Sequence, residues 1–71
     1  MARSNWYVER YEKAATTPIW TGDFTDFAQT LEFATAALGS GKEESIRFIA
    51  PDAAPKAQID QLLALGAWER T

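Results

Sequence analysis

Apolar and polar residues alternate near the start of the chain in the way that a β-strand requires. Residues 5–12 read NWYVERYE and are rich in the aromatic and β-branched types that suit a pleated surface. Successive side chains of a strand point to opposite faces, so this segment has two different faces. One face carries Trp6, Val8 and Arg10, and the other carries Tyr7, Glu9 and Tyr11.

Two more strands are indicated further along the chain. A connector at residues 13–18 ends in Pro18, which favours a turn or a strand edge, and residues 19–22 then predict a short strand that pairs back on the first. Residues 45–51 read SIRFIAP and predict a central strand. Its two faces hold Ile46 and Phe48 on one side, and Arg47 and Ile49 on the other.

The segment DFTDFAQTLEFATAALGSG predicts the first helix. Asp23 or Thr25 is available as its N-cap, and Asp26 stands in the first turn, where the helix dipole favours a carboxylate. Gly39 marks its end. Apolar residues at helical spacing predict one core stripe, formed by Phe27, Leu31, Ala34 and Leu38. Phe33 lies off this stripe, which predicts a separate apolar residue on the flank of the helix.

A second helix is marked at both ends. Asp52 is positioned to cap it, Pro55 is tolerated in its first turn, and Gly66 is suited to a left-handed C-terminal cap. We expect its buried face to consist of Ile59, Leu62 and Leu63.

Trp68 stands just beyond the second helix. Residues that follow a left-handed cap commonly contact the last helical turn, and Ala67 and Trp68 are placed to do so. Trp68 is therefore expected either as a lid over this helix or as a residue of a short last strand, AWERT. The alternative, which the sequence leaves open, is that Trp68 anchors an interface with a partner.

The order of these elements predicts an α+β fold. Two helices with one-sided apolar stripes pack on one face of a small sheet, so we expect a two-layer sandwich of three or four mostly antiparallel strands in the order β-β-α-β-α-(β). The 71 residues are short enough to form a single domain, 1–71. The chain has no Cys and no His for disulfide or zinc staples, so its nine aromatic rings must supply much of the core.

Charge and hydropathy restrict the partners and the compartment. The net charge is −3 and the isoelectric point is near 4.7, so we do not expect general binding to nucleic acid or to an anionic membrane. Basic residues mostly stand next to acidic ones, which leaves no basic stripe in the sequence. The absence of a long apolar run and of Cys predicts a cytoplasmic protein.

Few residues are suited to catalysis. Without His and Cys, the commonest general base, metal ligand and nucleophile are missing, and we expect no enzyme activity, metal or cofactor. Asp23 and Asp26 could share a cation or act as an acid and base pair, but helix capping is the more common role. The sequence GSGK at residues 39–42 lacks the spacing and the strand-to-helix context of a phosphate-binding loop.

The aromatic residues predict an interaction surface. A two-layer sandwich leaves one sheet face uncovered, and the chain offers more rings than one-sided helices can cover. We therefore expect a protein-binding module, an adaptor or inhibitor that binds another protein or a second copy of itself. The predicted interaction residues are Tyr7, Tyr11, Trp20, Phe33, Arg10, Arg47 and Trp68. Small acidic chains without catalytic signatures are used by viruses and mobile elements against host machinery, such as nucleic-acid-processing complexes, and the prediction extends to that class by analogy.

Two alternatives stay open. Tyr7, Tyr11 and Trp20 would form a stacking platform for single-stranded nucleic acid if all three rings lay on the uncovered face. Acidic residues on or near the first helix, Asp23, Asp26 and Glu32, would suit a decoy that occupies a nucleic-acid site on another protein, although a spacing that imitates phosphates would need more carboxylates.

Overall fold

A computed structural model describes residues 3–70 of the protein and contains four strands and two helices. In chain order the elements are β1 (Trp6–Tyr11), β2 (Trp20–Phe24), α1 (Phe27–Leu38), β3 (Ser45–Ile49), α2 (Lys56–Leu65) and β4 (Trp68–Glu69). The predicted α+β fold and its element order, including the fourth strand, are confirmed.

The four strands form one mixed sheet in the order β2-β1-β3-β4. β1 pairs antiparallel with both of its neighbours, and β3 pairs parallel with β4. A parallel neighbour requires a crossover, and α2 supplies it between β3 and β4. β1 and β3 thus lie inside the sheet, as predicted for β3, while β2 and the two-residue β4 form its edges.

Both helices pack on the same face of the sheet. Alternation and register direct every second strand residue to this side, and the buried core joins strand and helix residues with Ala67. Its members are Trp6, Val8, Ala34, Ala37, Ile46, Phe48, Leu62 and Ala67.

The ends of α1 follow local chemistry. Asp26 is the N-cap, and its side-chain oxygen accepts a hydrogen bond of 2.8 Å from the Gln29 N–H. The cap therefore lies after the predicted Asp23 or Thr25, and Asp26 precedes the first turn. Gly39 ends the helix as predicted, with its N–H bonded to carbonyl groups of the last turn.

The buried side of α1 is wider than the predicted stripe. Ala34 is fully buried, but Thr30 and Ala37 are buried as well. Thr30 tolerates this position because its hydroxyl donates to the Asp26 carbonyl, 3.1 Å away. The side of the helix that carries Phe33 therefore faces protein.

The start of α2 differs from the prediction, whereas its end is as predicted. Asp52 does not cap it, since the N-cap is Pro55 and no side chain caps the first turn. Gly66 has φ 105° and forms the predicted left-handed cap. Leu62 is fully buried, whereas the predicted core residue Leu63 is 44% exposed, because only the side of α2 that carries Leu62 and Ile59 packs against the core.

No helix within residues 3–70 has both the length and the apolar character that crossing a membrane requires.

Candidate functional site

The candidate site is the sheet face that the helices leave uncovered, called here the open face. It consists of the strand residues of the opposite alternation to the core, together with Arg70, which follows β4. These residues are Tyr7, Glu9, Tyr11, Thr21, Asp23, Ser45, Arg47, Ile49, Trp68 and Arg70. Tyr7 and Tyr11 lie here, as predicted.

Glu9 lies at the centre of the open face and is only 6% exposed. Its two carboxylate oxygens accept hydrogen bonds from the hydroxyl groups of Tyr7 and Tyr11, each 3.2 Å long, and from Nη1 of Arg70, 3.1 Å away. A buried carboxylate is tolerated only when charge and hydrogen bonds compensate it. The three donors meet this need, so the centre of the face is a fixed polar network.

Burial raises the pKa of Tyr7 above its usual value, and the adjacent Glu9 carboxylate raises the pKa further. The Tyr7 hydroxyl therefore stays protonated at neutral pH and continues to donate to Glu9. The Tyr7 hydroxyl is therefore a structural hydrogen-bond donor. A catalytic base would need a lowered pKa, and the pKa of Tyr7 is raised.

Guanidinium groups lie over both tyrosine rings. The Arg3 guanidinium carbon is 5.8 Å from the centroid of the Tyr7 ring, and that of Arg47 is 5.8 Å from the centroid of Tyr11. These are cation–π distances. Nη1 of Arg47 also makes a long contact of 3.5 Å with the Tyr11 hydroxyl. One side of each ring is thereby occupied by a cation.

Among the large apolar residues that the structure describes, Trp68 is the most exposed, with 66% of its surface accessible. It lies on β4 directly beside Arg47 in the parallel register. The predicted strand position is thus confirmed, and the predicted lid over α2 is wrong. Ala67 makes the contact past the helix cap, since it is buried and its N–H bonds to the Leu62 carbonyl.

A groove of about 490 Å³ runs beside Trp68. One wall comes from the open face and the other from the connector between β1 and β2. The lining residues are Tyr11, Ser45, Arg47 and Trp68 on the sheet, and Glu12, Ala14, Ala15 and Thr16 on the connector. We call this the Trp68 groove.

A second groove of about 550 Å³ lies at the other end of the same face. Its lining residues are Arg3, Tyr7, Asp23, Ile49 and Arg70. The Glu9 network stands between the two grooves, so an extended ligand crossing the face would contact fixed side chains along its length.

Three predicted interaction residues lie on the opposite side of the sheet. The prediction that Trp20 shares the uncovered face is wrong, because the register pairs Trp20 with Arg10, on the helix side. The Trp20 ring packs over Gly22, where an added Cβ would lie 2.6 Å from the indole. It also contacts Phe33, with ring centroids 4.7 Å apart. Phe33 is therefore part of an aromatic cluster and not a separate residue on the helix flank.

Arg10 is engaged on the helix side as well. Its Nη2 donates to Oε2 of Glu44 at 2.6 Å, and the Glu44 side chain is 5% exposed. The hydrogen bond from Arg10 lowers the pKa of Glu44. Of the two predicted arginines, only Arg47 is on the open face.

The open face includes residues that the sequence did not single out. Arg70 was missed because its role depends on a contact between distant parts of the chain; Arg70 and Glu9 are 61 positions apart. Arg3 and Glu9 were missed although they also contact near neighbours, Tyr7 and Tyr11. A usable signal was present for Glu9 alone, since a carboxylate between two strand tyrosines is unusual in a run of aromatic residues.

The open face carries a different charge from the whole chain, because opposite charges balance on it. When the residues that line its two grooves are included, three of the seven Lys and Arg residues and three of the ten Asp and Glu residues lie there, whereas the chain carries a net −3. The three cations are Arg3, Arg47 and Arg70, and the three carboxylates are Glu9, Glu12 and Asp23. Cations and carboxylates therefore lie together beside the exposed aromatic rings.

The acidic residues do not form a metal site in the part of the chain that the structure describes. No group of three or more metal-ligating side chains comes together within residues 3–70. Asp26 caps α1, Asp23 lies in the second groove, and Glu32 is exposed on α1. Comparisons with protein-family models, curated proteins and solved structures found no match to this chain.

Proposed function

We propose that the protein is a non-catalytic binding module that holds another protein on its open face, as an adaptor or inhibitor. The observation that supports this most directly is Trp68, which is 66% exposed and lies on a strand whose position is fixed by pairing with β3. A rigid, exposed Trp beside an Arg is the combination in which binding energy is concentrated at protein interfaces.

The environment of Trp68 also favours a preformed site. Arg70 is bonded to Glu9, and Arg47 lies over the Tyr11 ring, so these contacts restrict the charged side chains around the indole before a partner binds. Ordering one rotamer-rich side chain costs about 0.5–1.5 kcal/mol, and this arrangement reduces that cost.

The available chemistry supports binding over catalysis. The chain contains no His or Cys, and its buried carboxylates, Glu9 and Glu44, are each paired with an arginine. These groups are occupied in structural contacts. We extend the proposal, by analogy with small acidic viral and mobile-element proteins, to a cytoplasmic protein that acts on host machinery.

Two other occupants of the open face are less well supported. A second copy on this face has no specific observation in its favour, since self-association there would require Arg47 of each copy to meet a carboxylate of the other. Single-stranded nucleic acid is favoured by the three arginines, but guanidinium groups already lie over Tyr7 and Tyr11, and Trp20 is on the other side of the sheet. Trp68 alone then offers a free ring for stacking.

Site-specific photo-crosslinking tests the proposal. A photoreactive amino acid replaces Trp68 on the open face or, as a matched control, Leu63, an exposed apolar residue on α2. Each protein is irradiated in nuclease-treated lysate of its source cells, and adducts are identified by mass spectrometry. We expect a discrete protein adduct from position 68 and none of the same mass from position 63.

Two results would contradict the proposal. Identical adducts from both positions would show contact without a preferred face, and no protein adduct from position 68 would leave the open face without a protein partner. An adduct with the mass of a second copy would assign the face to self-association, and a nucleic-acid adduct in untreated lysate would favour the stacking alternative.

A further inference from the structure

β2 is an edge strand, and its outer side has no neighbouring strand within residues 3–70. The strand order is β2-β1-β3-β4, so β2 pairs with β1 alone. Alternate residues of such a strand direct their N–H and C=O groups away from the sheet, where another strand can pair with them. The opposite edge, β4, has only two residues, whereas β2 has five. β2 therefore offers the longer free edge.

Few features of β2 prevent such pairing. Edge strands are commonly protected by Lys, by Pro or by several charges. β2 reads WTGDF, so it contains no Lys or Pro, and Asp23 is its one charged residue. Thr21 and Asp23 are exposed on the open face, and Trp20 is 38% exposed on the helix side. The edge thus presents polar side chains on one face and aromatic side chains on the other.

The sequence of β2 is self-complementary about its middle residue, Gly22. When a second β2 strand runs antiparallel with the two Gly22 residues opposite each other, all five residues of each strand are paired. Trp20 then lies opposite Phe24, and Thr21 lies opposite Asp23, once on each side of a two-fold axis. The aromatic pairs fall on the helix side and the polar pairs on the open face. Each face of the sheet therefore continues from one copy to the other.

Charge selects this register over a shifted one. An axis at Asp23 would place two carboxylates directly opposite each other, which destabilises an antiparallel pair. With the axis at Gly22, each Asp23 faces the neutral hydroxyl of Thr21, and the two carboxylates are diagonal neighbours about 7–8 Å apart. Asp23 also lies in the second groove with Arg3 and Arg70, whose charges offset the remaining repulsion.

The aromatic cluster beside β2 supplies the apolar part of the interface. The rings of Trp20, Phe24 and Phe33 contact one another, with centroids 4.7, 5.4 and 5.9 Å apart. A groove of about 520 Å³ opens between Phe24 and α1. In the antiparallel pair, Trp20 of the second copy lies opposite Phe24, next to this groove. Gly22 leaves room for the indoles, because a Cβ there would lie 2.6 Å from the Trp20 ring.

We propose that β2 pairs antiparallel with β2 of a second copy, about a two-fold axis at Gly22. The four strands of each copy then form one continuous sheet. Because the axis is perpendicular to this sheet, all the helices lie on one side and both open faces lie on the other. The inference concerns a different surface from the proposed binding site and leaves that site free.

Such a dimer presents the open face twice. Seven strand spacings separate the two β4 strands, a distance of about 33 Å along the sheet. Two Trp68 residues are thus directed to the same side of the dimer. A partner that carries two binding segments would be held more tightly by the dimer than by a single copy, because the second contact forms within the complex.

Disulfide trapping tests the pairing, because the chain contains no Cys of its own. Three single variants are made at exposed positions, Thr21→Cys, Asp23→Cys and, as the control on α2, Leu63→Cys. The variants are mixed in pairs in a glutathione redox buffer, and the disulfide-linked products are identified by their masses. Circular dichroism verifies the fold of each variant. Sedimentation velocity measures the oligomeric state of the wild type, which carries no substitution.

We expect position 21 of one copy to link to position 23 of the other, about tenfold or more in excess of the 21–21 and 23–23 products. Opposite residues have Cα atoms about 4.5–5.5 Å apart, which a disulfide can span, whereas diagonal residues lie too far apart. Position 63 should give no preferred product. The wild-type dimer fraction should rise with protein concentration and with salt, because each copy carries a net −3.

Three results would overturn the inference. The first is a wild-type protein that stays monomeric at every concentration up to about 1 mM. The second is disulfide formation in statistical proportions, with position 63 linked as readily as positions 21 and 23. The third is an excess of 21–21 or 23–23 products, which would reject the axis at Gly22. Photo-crosslinking from position 68 reports on the open face alone, so failure of the dimer and failure of the proposed function are distinguishable.

Discussion

At the scale of single residues, burial decides which charges matter. Glu9 and Asp60 each accept a contact of 3.1 Å from a cation, yet the Glu9 side chain is 7% exposed and the Asp60 side chain is 53% exposed. Water screens the second pair more strongly than the first, so equal distances correspond to unequal contributions to stability.

Glu9→Gln should lower the free energy of unfolding by about 1–3 kcal/mol, because the neutral amide no longer compensates Arg70 and has one acceptor oxygen for three donors. Asp60→Asn should change it by less than about 0.5 kcal/mol. Urea unfolding of both variants measures the difference. Losses of equal size would contradict the role assigned to the Glu9 network.

Glu44 predicts a specific dependence of stability on pH. The hydrogen bond from Arg10 holds its pKa below the ordinary value of 4.5, so the folded state binds this proton less readily than the unfolded state. The contribution to stability is therefore present above that value and is lost as the pH falls through the lower folded pKa. The hydrogen bond with Glu44 raises the pKa of Arg10, so Arg10 stays charged throughout the range in which Glu44 titrates.

Melting temperatures of wild type and Glu44→Gln should differ at neutral pH and converge in acid, as the pH falls below the lowered pKa of Glu44. The control is Glu43→Gln, since Glu43 pairs with Lys13 at the same 2.6 Å but is largely exposed. Glu43→Gln should match wild type across the range. A Glu44→Gln deficit that persists unchanged in acid would mean that the effect is not electrostatic.

At the scale of elements, two aspartates that look alike in sequence have different roles. Asp26 caps α1 with a bond of 2.8 Å to the Gln29 N–H, whereas Asp52 is exposed before α2, whose N-cap is Pro55. Pro55 has extended backbone angles and starts the helix three residues after Asp52, which is too far for a side-chain cap.

Asp26→Ala should therefore cost about 1 kcal/mol of stability, and Asp52→Ala should cost less than about 0.5 kcal/mol. Thermal unfolding followed by circular dichroism compares the two. If Asp52→Ala were the more damaging change, the assignment of the caps would be wrong.

At the scale of the whole molecule, both helices cover one face of a small sheet, and no helix within residues 3–70 covers the other face. The core on the helix side is limited, so each of its large members carries a sizeable share of the stability. Leu62 and Leu63 show the contrast, since the first is fully buried and the second is 44% exposed on the same helix.

Leu62→Ala should cost about 2–5 kcal/mol, a large part of the roughly 4–10 kcal/mol expected for a chain of this length. We expect this variant to be partly unfolded at 37 °C, while Leu63→Ala retains the native spectrum. Denaturant unfolding at 25 °C measures both. Similar costs for the two variants would show that α2 does not pack as described.

Much of the fold could be predicted because its signals are local. Alternation in residues 5–12 and 45–51 gave the faces of β1 and β3, and the glycine at position 66 gave the left-handed cap. The open-face positions of Tyr7, Tyr11 and Arg47 follow from the same alternation. Leu63 was misassigned because helical spacing indicates an apolar side but not how much of it a partner covers.

The sequence by itself determined the elements, their order and the direction of each side chain relative to its own strand or helix, since these depend on neighbours within a few residues. Only the tertiary structure decided which aromatic rings share a face. The register of β2 against β1 moved Trp20 to the helix side, where Phe33 meets it. The crossover through α2 places Arg70 against Glu9 and Trp68 beside Arg47. These residues are far apart in the sequence, and their separation along the chain does not indicate how close they lie in space.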